Sequence, residues 1–141
     1  MIRFLAHLQP WALAFLRVTL GISMVVHGCD KLIPAGGLHR DHLLAGVEAF
    51  NHSVVAMGMP YWLGDVAVTT EFLGGLFLIG GLLTRFWALL VMGDMIVAIA
   101  KVTIHHGYSG SEYTISLLGI AFMLLVAGSG AVSFDRKLGI H

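Results

Sequence analysis

Residues 113–134, YTISLLGIAFMLLVAGSGAVSF, contain no Asp, Glu, Lys or Arg. A bilayer core is crossed by about 20 apolar residues of helix, at about 1.5 Å of rise each. In hydrocarbon every backbone N–H and C=O must be bonded within the structure, which leaves only helices and closed barrels. The run is apolar on every side and long enough to cross, so it reads as a transmembrane helix. Three further segments have the same length but carry interior charge: 11–29 holds Arg17, 62–83 holds Asp65 and Glu71, and 86–104 holds Asp94 and Lys101. These charges are single and the surrounding runs stay membrane-length. The sequence therefore predicts four spans, at about 11–29, 62–83, 86–104 and 113–131.

Composition supports this reading. The chain is 57% hydrophobic and 11% charged, too little charge to cover a soluble domain of this length. The expected fold class is all-α: an integral membrane four-helix bundle, in one domain over 1–141. Formal charge is zero, so there is no basic footprint for nucleic acid, and soluble-ligand enzymes and secreted roles are excluded. Cys29 is the single cysteine, which excludes an internal disulfide and any CxxC redox or zinc motif. The first span is not read as a signal peptide, because Arg17 interrupts what should be an uncharged apolar region.

Between the second and third spans there is only Thr84–Arg85, so those helices are antiparallel neighbours. The first loop, 30–61, is long. Its Leu43, Leu44, Val47, Phe50, Val54 and Met57 recur at helical spacing and Pro60 closes it, which predicts an amphipathic interfacial helix over about 39–57. A buried re-entrant segment is the competing reading. Outside the spans Arg3, Arg85, Arg136 and Lys137 fall on one side, Lys31 and Arg40 on the other. This bias favours cytoplasmic termini and a cytoplasmic (inner) membrane location.

Charges inside a span face the bundle interior and find partners there. From the helical rise, Arg17 lies roughly 9 Å deep, Asp94 about 12 Å, Glu71 about 18 Å, Lys101 about 22 Å and His27 about 24 Å. Two levels of opposite charge follow: Arg17 with Asp94 as a structural ion pair, and Glu71 with Lys101 near His27. At 100° per residue Asp94, Lys101 and His105 share one face of span three, while Glu112 heads a stripe on span four. Glycines at 74, 75, 80, 81, 119 and 128 read as packing surfaces or as the walls of a ligand groove. Structural pairing accounts for paired charges, but intramembrane ionisable residues are functional candidates by default. The candidates for ligand binding or proton exchange are thus Glu71, His27, Lys101, His105 and Glu112.

Other chemistries have less support. Adjacent rings at His105 and His106 cannot easily share one ion, His39 and His42 could, and no intrinsic metal is expected. No haem attachment motif is present. Ser23, Ser116 and Cys29 lack a base-and-acid set at their level, so no catalytic residue is assigned.

Three stretches together resemble the DoxX family. LRVTLGISMVVHGCDKL (16–32) is similar to its first-span signature, with Arg, Gly, His-Gly and Lys in order. EFLGGLFLIGGLLTRFWAL (71–89) is similar to its second motif, and GSEYTISLLGIAFMLLVAGSGAVSFD (110–135) to its last. The resemblance runs from about 16 to 135 and carries Arg17, Gly21, His27, Gly28, Lys31, Glu71, Gly74, Gly75, Arg85, Glu112 and Asp135. It implies a four-helix membrane fold associated in some members with quinol oxidase, thiosulfate:quinone oxidoreductase or oxidative-stress systems. Asp94 and Lys101 depart from the pattern.

Two functions from different classes follow. The first is a redox-associated membrane subunit that binds a quinone-like ligand within the bundle, acting in the bilayer with a larger oxidoreductase complex or as a homo-oligomer. The second is a non-catalytic accessory subunit of a larger membrane complex. A small transporter or proton pathway ranks below both, since no inverted repeat or broken helix is visible.

Overall fold

The computed structural model describes residues 2–33, 43–103 and 107–140, and the side chains among them except those of 2–6, 43 and 44. Helix α1 runs Ile2–Leu32 and α2 runs Leu43–Ala56. The second span is three pieces in one line: α3 (Trp62–Thr69), a π-helical turn (Thr70–Gly74) and α4 (Gly75–Gly80). Helix α5 (Thr84–Ala98) likewise continues into a π turn, Ile99–Thr103. Then follow α6 (Gly107–Ala127) and the short α7 (Phe134–Leu138). There is no strand among the described residues.

Four helical stretches are long and apolar enough to cross a membrane: His7–Leu32, Trp62–Gly80, Thr84–Thr103 and Gly107–Ala127. The all-α membrane bundle expected from the sequence is the observed architecture. The last span is offset from the expected 113–131, starting at Gly107 and stopping at Ala127. Gly128 and Gly130 take positive φ (86° and 72°), where the chain leaves the helix and folds back under the bundle. Only glycine adopts that region without steric cost.

The bundle closes around Leu20 and Met24 of α1, Leu78 of α4, Val91 and Met95 of α5, and Leu117 and Leu124 of α6, all buried. What brings α1 so close to the second span is a seam of glycines. A Cβ on Gly21 would lie 2.7 Å from the Gly75 carbonyl oxygen, one on Gly75 2.8 Å from the Gly21 oxygen, and one on Gly28 2.7 Å from the Phe72 nitrogen. Without side chains the two backbones touch, and dispersion replaces the hydrophobic drive that is missing between helices in lipid. Adjacent Gly74 faces the other way, onto the Trp87 indole of α5. The glycines at 74 and 75 thus pack, as expected, whereas a Cβ at Gly119 would meet nothing within 4 Å.

One end of the bundle is tied by Arg17 and Asp135. Arg17, 2% exposed, donates to the carbonyls of Ser129 and Val132, holding the segment after α6. The Asp135 carboxylate accepts the backbone N–H groups of Leu83 (2.6 Å) and Thr84 (2.9 Å) and so stabilises the left-handed turn at Leu83 (φ 51°) between spans two and three. Ala131 N donates to the Pro10 carbonyl at 2.7 Å.

At the other end α2 packs on α3 and α1. Its buried Asn51 donates to Asp65 Oδ1 at 2.7 Å, and Val54 is buried beside it, while Glu48, His52 and Val55 stay exposed. The expected loop helix therefore exists over Leu43–Ala56, with 34–42 outside the described residues.

The seam gives a direct stability test. Gly75→Leu should lower the stability of the purified protein in detergent by about 1–3 kcal/mol through overpacking against backbone. Gly119→Ala should cost nothing. The check is thermal unfolding of each variant by intrinsic tryptophan fluorescence.

Candidate functional site

A cavity of about 490 Å³ lies between α1, α2, α3, α5 and α6, at the α2 end of the bundle. Its walls are largely aliphatic, with Met57, Met59, Leu63, Val66 and Leu89 among them. His27, Lys31, Glu71, Asp94, Thr103 and Tyr113 interrupt that surface with polar groups. This volume is in the range of small-molecule sites, and an apolar body with a few converging polar groups is their usual make-up.

The polar groups form one constellation. Lys31 Nζ lies 2.6 Å from Glu71 Oε1 and 4.1 Å from the centre of the Phe50 ring, so one ammonium links α1, the π turn and α2. Glu71 is 4% exposed. Its carboxyl and that of Asp94 from α5 lie within hydrogen-bonding reach of each other. One ammonium thus faces two carboxyls. Glu71 Oε2 and Asp94 Oδ2 are both buried with no donor, and Thr103 Oγ1 is likewise unpartnered. A buried polar atom left without a partner costs about 1–3 kcal/mol, more when it is charged. Two such acceptors together are filled by one proton shared between the carboxyls or by a donor supplied from outside the chain.

His27 completes the acceptor set. Its Nδ1 is 2.8 Å from the Ser23 carbonyl oxygen, which can only accept, so Nδ1 carries the hydrogen. In the neutral ring Nε2 is then an acceptor. The ring stacks on Tyr113 at 5.6 Å between centroids, which holds its plane.

Local structure explains why Glu71 is available. It sits in the π turn Thr70–Gly74. Single π turns inside α-helices break the i→i+4 ladder and recur at functional sites. Gly28 lets α1 run against Phe72 in this turn, which brings Lys31, one helical turn further on, to Glu71.

Of the residues singled out from the sequence, the structure brings Glu71 and His27 to the cavity and adds Asp94 to them. Arg17 and Asp94 do not pair: Arg17 is used on backbone carbonyls at the opposite end, and Asp94 meets Glu71. Glu71 pairs with Lys31 and not with Lys101, which is exposed and does not line the cavity. The 100° extrapolation from Asp94 to Lys101 fails because the chain enters a π turn at Ile99, where i→i+5 bonding rotates less per residue. Glu112 is exposed and outside the cavity lining, although its neighbours Tyr113 and Thr114 belong to it. His105, with His106, His39 and His42, lies outside the described residues. Among the described residues no three His, Cys, Asp or Glu are grouped to hold a metal ion.

Lys31 was carried by the family resemblance but was not among the ligand-binding candidates, span one being expected to end near 29. Helix α1 continues to Leu32. The signal was present: Lys31 shares the α1 face of Arg17, Gly21 and Gly28.

Two findings place the chain among known proteins. Residues 12–106 match the family profile described as DoxX. No curated protein and no solved structure gives a significant match.

The Lys31–Glu71 pair predicts a specific mutational pattern. Lys31→Met alone strands a buried carboxylate and should destabilise the protein by about 3 kcal/mol. Adding Glu71→Gln should recover most of that loss, giving a coupling above about 1 kcal/mol in a double-mutant cycle read by thermal or denaturant unfolding.

Proposed function

The chain belongs to the DoxX family, and from that premise and the cavity between its spans we propose that it is a redox-associated membrane subunit holding a quinone-type ligand at Glu71. The observation that carries this reading is the pair of buried carboxyl oxygens without a hydrogen-bond partner, Glu71 Oε2 and Asp94 Oδ2, on residues that line a largely apolar cavity. With His27 Nε2 they make three acceptors against one lysine, and that lysine is already bound to Glu71 Oε1. An acceptor-rich site is matched by a head group that brings hydroxyl hydrogens. The hydroxyl-bearing, reduced member of a quinone couple has this chemistry, and its hydrocarbon tail suits Met57, Leu63, Val66 and Leu89.

Glu71 and Asp94 orient the hydroxyls and take up or return their protons. Lys31 balances one carboxylate throughout and, held over Phe50, keeps α2 closed on the cavity. Tyr113 keeps the His27 ring in plane. The aliphatic walls exclude water, so hydrogen bonds inside are stronger than in solution. A bound quinone supplies the electron chemistry, and an electron-carrying partner in the membrane exchanges with it, because these side chains hold no redox centre of their own. The excess of Arg and Lys at the end with Arg85 and Arg136 orients that end to the cytoplasm of an inner membrane.

The test is binding of short-tailed hydroquinone and quinone analogues to the full chain in detergent, followed by thermal shift and by direct titration. Hydroquinone should bind, and Glu71→Gln should weaken it about 10- to 100-fold, the worth of a hydrogen bond to a charged group. Gly93→Phe should abolish binding with the fold intact, because a Cβ there meets nothing within 4 Å and the ring would fill the cavity. No thermal shift with either analogue, and no quinone in an organic extract of the purified protein, would overturn the reading.

A further inference from the structure

The opposite end of the bundle holds a second cavity, of about 560 Å³, remote from Glu71. It lies between Gln9 and Pro10 of α1, the first turn of α5 with Thr84 and Arg85, the segment following α6, and Arg136 of α7. Two arginines, Arg85 and Arg136, are among its lining residues. Neither takes part in an ion pair among the described residues, and Arg85 makes only a long contact, 3.4 Å, to the Val126 carbonyl.

The acid in the cavity wall does not neutralise them. Asp135 is 4% exposed and both its oxygens already accept backbone N–H groups, from Leu83 and Thr84. Its charge is balanced by Arg17 on the inner side of the same turn. Among the described residues Arg85 and Arg136 therefore have no acidic partner. A second, independent feature points the same way. Thr84 lines the cavity, is fully buried, and its hydroxyl has no partner. A buried hydroxyl beside two arginines that lack an acidic partner among the described residues calls for an anion with several acceptor oxygens.

Position narrows the source. Thr84 begins one membrane-crossing helix and Ala127 ends another, so the cavity sits where lipid head groups meet the protein. Leu13, Phe86 and Ile140 supply an apolar wall beside the cations. An inorganic ion has no use for that wall, whereas the glycerol and upper acyl chain of a phospholipid do. Basic pockets between transmembrane helices are the usual way proteins hold anionic head groups, and guanidinium matches phosphate through paired hydrogen bonds.

We propose that the cavity between Thr84, Arg85 and Arg136 is a binding site for a phosphate group, carried by an anionic phospholipid. The bound lipid would join α1, α5, α6 and α7 at the end tied by Arg17 and Asp135.

The experiment uses the full chain, delipidated in detergent and supplied with phosphatidylglycerol, phosphatidylcholine or inorganic phosphate. Bound lipid is counted by native mass spectrometry and stability is read by thermal unfolding. Phosphatidylglycerol should bind one per chain and raise the unfolding temperature. The double variant Arg85→Gln, Arg136→Gln should lose about 30-fold of the preference over phosphatidylcholine, the factor two surface cations are worth towards an anionic lipid. Lys137→Gln removes a charge at the same end but outside the cavity, and should leave the preference unchanged. Thr84→Val should weaken binding with both arginines present. Stabilisation by inorganic phosphate that depends on Arg85 and Arg136 would support the anion site while assigning it to a soluble source. Equal affinity for both lipids, or a loss with Lys137→Gln as large as with the arginine pair, would overturn the proposal. Since both arginines are exposed, unfolding in phosphatidylcholine alone reports whether the variants remain folded.

Discussion

The contact between α1 and the second span governs what the rest of the bundle can do. Three glycines, at 21, 28 and 75, bring two backbones to within a distance that a single methyl group would prevent. Among helices immersed in hydrocarbon no hydrophobic force pulls them together, so closeness must come from shape. Once Gly28 lies on Phe72, the ammonium of Lys31 can reach a carboxylate in the same π turn. The ion pair is thus a consequence of the seam. A bulkier residue at 28 would lift Lys31 away from Glu71 and leave both charges unpaired.

Charge is partitioned between the two ends with different uses. At one end Arg17 is consumed by backbone carbonyls that the helices leave unsatisfied, and Asp135 by backbone N–H groups at a strained turn. Those groups close the structure where glycines end the last span. At the other end one lysine faces two carboxyls, and two carboxyl oxygens are left buried without donors. In the first arrangement the Asp135 carboxylate is satisfied within the chain, although Arg17 Nε and the Thr84 hydroxyl beside it have no partner. The second is incomplete within the chain, and that incompleteness makes it the candidate site.

The two π turns connect fold to site. One places Glu71 and the other carries Thr103 and Lys101. Each widens the helix locally where the cavity lies, and each breaks the regular angular relation between residues before and after it. The shared face of Asp94 and Lys101 expected from an ideal helix is lost for that reason. Asp94 instead joins Glu71, and Lys101 turns outward.

Sequence alone determined the solvent and therefore the class of fold. A run from 113 to 134 without charge, and three more of the same length, leave helices in a bilayer as the outcome, because lipid satisfies no backbone group. Glu71 and His27, which line the cavity, were legible as candidates because ionisable groups inside spans are costly and stand out. Partners were not legible. Which carboxylate meets which cation depends on where a helix ends, as with Lys31 at the last turn of α1, and on π turns and glycine contacts that no periodicity encodes. Only the tertiary structure decided that Arg17 serves the backbone, that Lys31 serves Glu71, and that Asp94 faces a second carboxyl. Pairing depends on ångström distances between separate helices, whereas partition into lipid depends on the sum of each helix's residues, which the sequence carries in full.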